Sequence, residues 1–229
     1  MAFIENQPWG STSYTILPGS HITFQTSRAK VDLLTNPYFG RMLFIDNVLQ
    51  STTSDEHIYH RTLVKEGMGY IPSPRVLIVG GAEGATLREV QNHNASINLG
   101  VKEIVMVDWD EELVKHMDSN EPWSQGSFDD ERLTFIGQDI HQYLDSNPQP
   151  FDTIILDLLD PKSGAEVNWL VNVIERCKRV CVNGGRMIVN CGSLAESDWV
   201  DKFATREMKK IVLQVPSFME PWVLLFIQN

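Results

Sequence analysis

Between residues 75 and 227 the chain alternates short apolar runs with longer segments in which polar and apolar positions mix. Runs at 76–79, 103–108, 133–136, 153–157, 186–190, 211–215 and 223–227 have the length and β-branched content of strands. Segments 86–92, 111–118, 140–144, 167–180 and 197–209 lie between most of them and read as helices. Apolar strands separated by helices predict a mostly parallel sheet covered on both faces. The last two runs lie too close for a helical crossover, which predicts a terminal hairpin.

Upstream the pattern changes. Runs at 22–24, 31–34 and 42–45 predict short strands, with a turn at 36–40 between two of them. They form a small antiparallel β annex over residues 1–52, ahead of a main α/β domain over 53–229. Thr53 and Glu56 have the spacing of a capping box, so a helix carrying Tyr59 and His60 is expected to start there and end near Gly67. Pro72 and Pro74 punctuate the approach to the main sheet.

The first main-domain run feeds the turn Gly80-Gly-Ala-Glu-Gly84 and then a helical segment, the way a nucleotide-binding α/β unit begins. Gly80, Gly81 and Gly84 allow a tight turn and a close approach to a ligand. Glu83 is out of place in a loop built for pyrophosphate, because like charges repel. A carboxylate there points to a cationic ligand.

Composition narrows this picture a little. With 229 residues, 42% of them hydrophobic, the chain can bury one substantial core. No stretch approaches the ~20 apolar residues of a membrane span, and the first residues lack the basic and apolar regions of a signal peptide. Cys177, Cys181 and Cys191 are odd in number and lack zinc spacing, so a reduced cytoplasmic protein without a metal site is expected. The net charge of −11 argues against nucleic acid and suits small cations.

Several acids sit at strand ends. Asp108 lies about 20 residues past the glycine turn, the placement that takes a ribose hydroxyl. It could instead cap the next helix, a role for which Asp110 competes. Asp157 ends an apolar run at the carboxyl edge, where open α/β sheets bind ligands. Asp160 follows three residues later, before Pro161. A turn rich in Asp and Pro is the alternative for this pair. With Glu83, however, three acids face one crevice.

Five blocks carry a family resemblance: the glycine turn, residues 43–50 (LFIDNVLQ), 55–60 (DEHIYH), 87–90 (LREV) and 157–161 (DLLDP). In order and spacing the chain resembles the polyamine synthases, the spermidine synthase-like aminopropyltransferases, whose loop usually reads GGGDGG. The resemblance implies a Rossmann-like, class I methyltransferase-like sheet. It also implies transfer of an aminopropyl group from decarboxylated S-adenosylmethionine, a co-substrate and not a cofactor, to a diamine, putrescine by default. The products would be spermidine or a related polyamine and methylthioadenosine.

By the same resemblance Asp157 receives or orients the amine proton, Tyr59 holds the attacking amine, Asp160 holds an amino group and Glu83 pairs with the donor's ammonium. Gly80, Gly81 and Asp108 fall at the nucleoside. Asp139 is assigned to the adenine amino group, or simply caps a helix. Gln50 contacts the nucleoside or is only a polar strand end. His60 follows the family's Tyr-His pair at the substrate wall, as a packing or supporting residue rather than a base. A homodimer or homotetramer is implied.

This chain departs from the family pattern at Ala82, Glu83 and Ala85 in the loop, at Phe218 where a tyrosine is usual, and at Asn190 in place of a glutamine. An S-adenosylmethionine-dependent methyltransferase would share the main domain. Glu83 disfavours that reading, because it attracts an ammonium and repels the methionine carboxylate. A non-catalytic polyamine- or nucleoside-binding protein is the third reading.

Overall fold

The computed structural model describes residues 2–7 and 10–229; Met1, Pro8 and Trp9, within the expected annex, lie outside the described residues. Strands β1 (Ala2–Gln7) and β2 (Gly10–Thr15) form a hairpin. Strands β3 (Ile22–Gln25), β4 (Lys30–Asn36), β5 (Gly40–Ile45) and β6 (Val48–Thr52) form an antiparallel four-stranded sheet. The chain continues through α1 (Glu56–Met68), β7 (Arg75–Gly80), α2 (Ala85–Ile97), β8 (Glu103–Asp108) and α3 (Glu111–Asn120). Next come β9 (Leu133–Gly137), α4 (Ile140–Asp145), β10 (Phe151–Asp157), α5 (Gly164–Arg179) and β11 (Cys181–Ser193). It ends with α6 (Asp198–Phe203), β12 (Met208–Gln214) and β13 (Pro221–Gln228).

The central sheet has the order β12-β13-β11-β10-β7-β8-β9. Strands β11, β10, β7, β8 and β9 run parallel, and β13 is antiparallel to both β11 and β12. Alternation along β7 builds two cores. Val76 and Ile78 face Leu63 of α1, Leu87 of α2 and Met117 of α3, whereas Leu77 and Val79 face Tyr143 of α4 and Ile174 of α5. From β7 the sheet grows one way through β8 and β9, and then β10 returns to the other side of β7. That reversal opens a crevice at the carboxyl ends of β7 and β10, the usual place for a ligand in this architecture.

The four-stranded sheet of the annex is packed on both of its faces. Val31, Leu33 and Leu43 join the core that contains α1 and α2, while Leu34, Met42 and Phe44 pack under Phe3 and Tyr14 of the first hairpin and Ile16 just after it. The hairpin tip between β3 and β4 docks on the far domain, where Thr26 Oγ1 donates to Asp110 at 2.7 Å and Ser27 N donates to Glu112 at 3.0 Å.

Two expectations need correction, and three strands were not foreseen. The N-cap of α1 is Asp55, not Thr53. Thr53 Oγ1 accepts from Arg41 N at 3.0 Å, and the Glu56 carboxylate turns inward to buried Arg88, a cation that cannot shed its proton. The helix expected over 197–209 ends at Phe203, because Lys209 and Lys210 belong to β12 and pair with β13. The hairpin β1–β2 and strand β6 carry too little apolar alternation to have been read as strands.

Candidate active site

Strands β7 and β10 are paired so that Gly80 lies opposite Asp157. Gly80 has φ +82°, and a Cβ there would sit 2.0 Å from the Asp157 carbonyl oxygen. Glycine is therefore demanded by the neighbouring strand alone, before any ligand is considered. Gly81, at φ +77°, keeps Asp157 Oδ2 close; a Cβ would be 3.2 Å from it. Ala82 and Ala85 are absent from the left-handed positions, so the loop takes both alanines without strain.

The Asp157 carboxylate is held from two sides. Tyr59 OH donates to Oδ1 at 2.6 Å, and Thr86 Oγ1 donates to Oδ2 at 2.6 Å. Burial pushes the Asp157 pKa up, the nearby His60 charge opposes that, and Glu83 adds to the rise. The Tyr59 hydroxyl is driven well above its ordinary value by burial and then by Asp157, so it remains a proton donor in this pair.

Asp160 rests on Asn190. Asn190 Nδ2 donates to Asp160 Oδ1 and to the Leu158 carbonyl, both at 2.8 Å, while its Oδ1 accepts from Trp222 Nε1 at 2.9 Å. Burial raises Asp160 to about 6 despite the Asn190 hydrogen bond. Phe218 packs at a tilt against Trp222, with ring centres 4.5 Å apart, and faces Tyr59 edgewise at 6.3 Å. The turn carrying Phe218 is pinned to the start of α1, because Asp55 accepts from Ser217 N at 2.7 Å and from Ser217 Oγ at 2.9 Å.

At the other end, Asp108 accepts from Asp110 N at 2.8 Å, and Asp110 is the N-cap of α3, accepting from Leu113 N at 3.0 Å. The competition over the cap is thus resolved for Asp110, leaving Asp108 on the crevice wall. Burial lifts Asp108 to about 6, with the Asp110, Glu83 and Asp157 charges adding to the rise. Asp139 caps α4 by accepting from His141 N at 2.8 Å, and it also lines the crevice. Gln50 also lines it, with Nε2 bonded to the Val48 carbonyl at 3.2 Å.

Glu83 is not a bare carboxylate. Its Oε1 lies 3.1 Å from Nε2 of His60, whose Nδ1 is 2.7 Å from Glu56 Oε2. Glu56 in turn accepts from Arg88 Nη2 at 2.9 Å. Burial works against charge on His60, but Glu56 and Glu83 outweigh it and raise the imidazole to about 10.

All ten residues singled out from the sequence line one cavity of ≈ 690 Å³: Gln50, Tyr59, His60, Gly80, Gly81, Glu83, Asp108, Asp139, Asp157 and Asp160. Its carboxylates outnumber its only Lys and Arg side chains among the described residues, Lys162 and Arg28; Arg28 lies 4.9 Å over the Trp109 ring at the rim. Such a cleft favours cations. Sequence reasoning missed Thr86 and the Glu56–Arg88 pair. Arg88 stands in a block that carries the resemblance, yet nothing local shows that it is buried. Thr86 is matched to a partner 71 residues away.

The comparisons with known proteins agree with this geometry. Residues 56–225 match the model of the spermine/spermidine synthase domain. A polyamine aminopropyltransferase 1 of Hyperthermus butylicus is 42% identical over 165 residues, 69% of this chain and 54% of that protein. A polyamine aminopropyltransferase 2 of Pseudomonas aeruginosa is 34% identical over 206 residues, 83% of this chain and 57% of that protein. The chain thus spans little more than half the length of these curated relatives. A spermidine synthase solved with the transition-state analogue AdoDATO shares the fold, with a TM-score of 0.86 at 21% identity over 100% of this chain and 80% of that one. The spermidine synthase of Thermotoga maritima gives 0.80 at 20% identity, covering 100% of this chain and 79% of its own. With its domain matched across α1 to β13 and its acids gathered at the sheet reversal, this chain belongs to the spermine/spermidine synthase family.

Proposed function

We propose that the chain transfers the aminopropyl group of decarboxylated S-adenosylmethionine to an amine, with putrescine the first acceptor to try, giving spermidine and methylthioadenosine. The observation that carries this reading is the Asp157 carboxylate, gripped by Tyr59 and Thr86 inside an acid-lined crevice. An alkyl ammonium at pH 7 must lose a proton before it attacks, at a cost of roughly 4 kcal/mol. Asp157 accepts that proton as the nitrogen bonds to the aminopropyl carbon. The carbon–sulfur bond breaks, and its electron pair neutralises the sulfonium, so methylthioadenosine leaves uncharged. Asp160 holds an amino group of the acceptor, and Glu83 faces the donor's ammonium. A methyltransferase would instead have to place a methionine carboxylate against Glu83, with Asp157 and Asp108 nearby.

The test is an acceptor screen that follows methylthioadenosine release and the amine products. Release that depends on a diamine supports the reading. No release with any di-, tri- or tetraamine, despite tight methylthioadenosine binding, would leave a binding protein and sink it.

The nucleoside end yields a separate prediction. Asp108 is placed to accept from the ribose hydroxyls, so Asp108→Asn is expected to weaken methylthioadenosine about 10- to 100-fold. Protonation removes the same acceptor, and so wild-type affinity falls as the pH drops through about 6. Titration calorimetry at about pH 5 and about pH 8 checks this, and equal affinities would take Asp108 off the ribose.

A further inference from the structure

Tyr59 and His60 are neighbours on α1 but serve different carboxylates. Tyr59 reaches Asp157, whereas His60 lies between Glu56, one turn back on the same helix, and Glu83 in the loop after β7. The imidazole is 2% exposed. Its Nδ1 faces the Glu56 carboxylate at 2.7 Å and the Glu56 carbonyl at 2.9 Å, and its Nε2 faces Glu83 at 3.1 Å. Both ring nitrogens therefore meet acceptors only. A neutral imidazole has one N–H and would turn a lone pair toward a carboxylate on the other side. The imidazolium satisfies both sides at once.

Glu56 is itself held as an anion. Glu56 also receives Arg88 Nη2, at 2.9 and 3.0 Å, and Arg88 Nη1 donates to the Trp123 carbonyl at 2.7 Å. Although burial opposes it, His60 and Arg88 together bring the Glu56 carboxyl below its ordinary range. The charged groups around His60 are Glu56 on α1, Glu83 in the β7–α2 loop and Asp157 at the end of β10, with Arg88 of α2 behind Glu56.

We propose that His60 is a permanently charged positioning residue, an imidazolium clamped by Glu56 that orients Glu83 and keeps Asp157 ionised before substrate arrives. Two buried carboxylates in one crevice relieve their repulsion by protonating one of them unless a cation intervenes. A protonated Asp157 could not take the amine's proton. His60 supplies the countercharge from the wall without blocking the ligand space, and the raised imidazole pKa of about 10 agrees with that role. The Asp157 half of the inference rests on the proposed aminopropyl transfer; the charge state of His60 does not.

Nitrogen-15 NMR of the histidine rings in the whole protein reads that charge state directly. Both His60 nitrogens are expected to carry protons throughout about pH 6 to 9, a range in which an ordinary histidine discharges. A neutral ring, or a titration inside that range, overturns the proposal whether or not the protein transfers aminopropyl groups. Glu56→Gln, which leaves His60 in place, is expected to bring its titration into that range, and an unmoved His60 counts against the clamp. For activity, His60→Gln keeps an N–H for Glu83 but not the charge. Its kcat/KM is expected to be about tenfold low near pH 6.5 and within about twofold of wild type near pH 9, as the acid limb moves to higher pH. An equal loss at every pH would make His60 merely structural and refute the Asp157 half.

Discussion

Asp157→Asn is expected to slow aminopropyl transfer about 10³-fold, the span that one well-placed proton acceptor contributes. The substitution is nearly isosteric and keeps its neighbours. Tyr59 can still donate to the remaining oxygen, and Thr86 can turn its hydroxyl to accept from the new amide. Only the basic oxygen and the charge are lost. Methylthioadenosine binding should therefore stay within about twofold, since the nucleoside end depends on other groups. Single-turnover rates beside binding isotherms separate the two effects. A rate within about tenfold of wild type would remove Asp157 as the proton acceptor and move that role elsewhere in the crevice.

Gly80→Ala should cost both stability and activity. A left-handed φ penalises any L side chain by about 1–2 kcal/mol, and here the added methyl would also collide with the Asp157 carbonyl 2.0 Å away. With the clash included, a loss of about 3 kcal/mol is expected, lowering Tm by roughly 6–12 °C for a chain of this size. Relief requires β7 and β10 to separate where Asp157 is held, so the rate falls as well. Gly184 separates the two causes. It has nearly the same φ, +79°, but nothing lies within 4 Å of where an added methyl would sit, so Gly184→Ala should cost only about 1 kcal/mol. Equal losses at the two positions would show that the contact with β10 does not matter.

Most of the central sheet was legible because strands such as β7, β8 and β10 are apolar runs that cannot be left in water, and Asp108 and Asp157 were legible because they end two of those runs. Asp157, Asp108 and Glu83 needed only a strand boundary to be noticed. The first hairpin was not legible: β2 reads GSTSYT, and only Tyr14 within it is buried. It is held by Phe3, Tyr14 and Ile16 lying on Leu34, Met42 and Phe44, contacts that local pattern cannot reveal. The cap of α1 was misplaced for a related reason. Asp55 and Thr53 are equally good on local grounds, and the choice is made by distant groups, Ser217 taking Asp55 and Arg41 taking Thr53. For His60 the sequence leaves packing and supporting roles open, because its two carboxylate partners, one a helical turn away and one in another loop, meet only after folding.

The link from Asp55 to Ser217 joins positions 162 residues apart. Strands β7, β8, β9 and β10, with the loop that carries Glu83, are consecutive in the chain and contiguous in the sheet, so the side of the cleft with Gly80, Asp108 and Asp157 can take shape early in synthesis. The wall made by Phe218 and Trp222 arrives last, together with the strands that finish the sheet edge. The final segment thus closes one wall of an acidic trough whose other side is built by earlier strands. The same separation gives evolution a free hand. The turn at 216–218 can be exchanged, and the cleft wall reshaped, while strands β7 to β10 stay as they are.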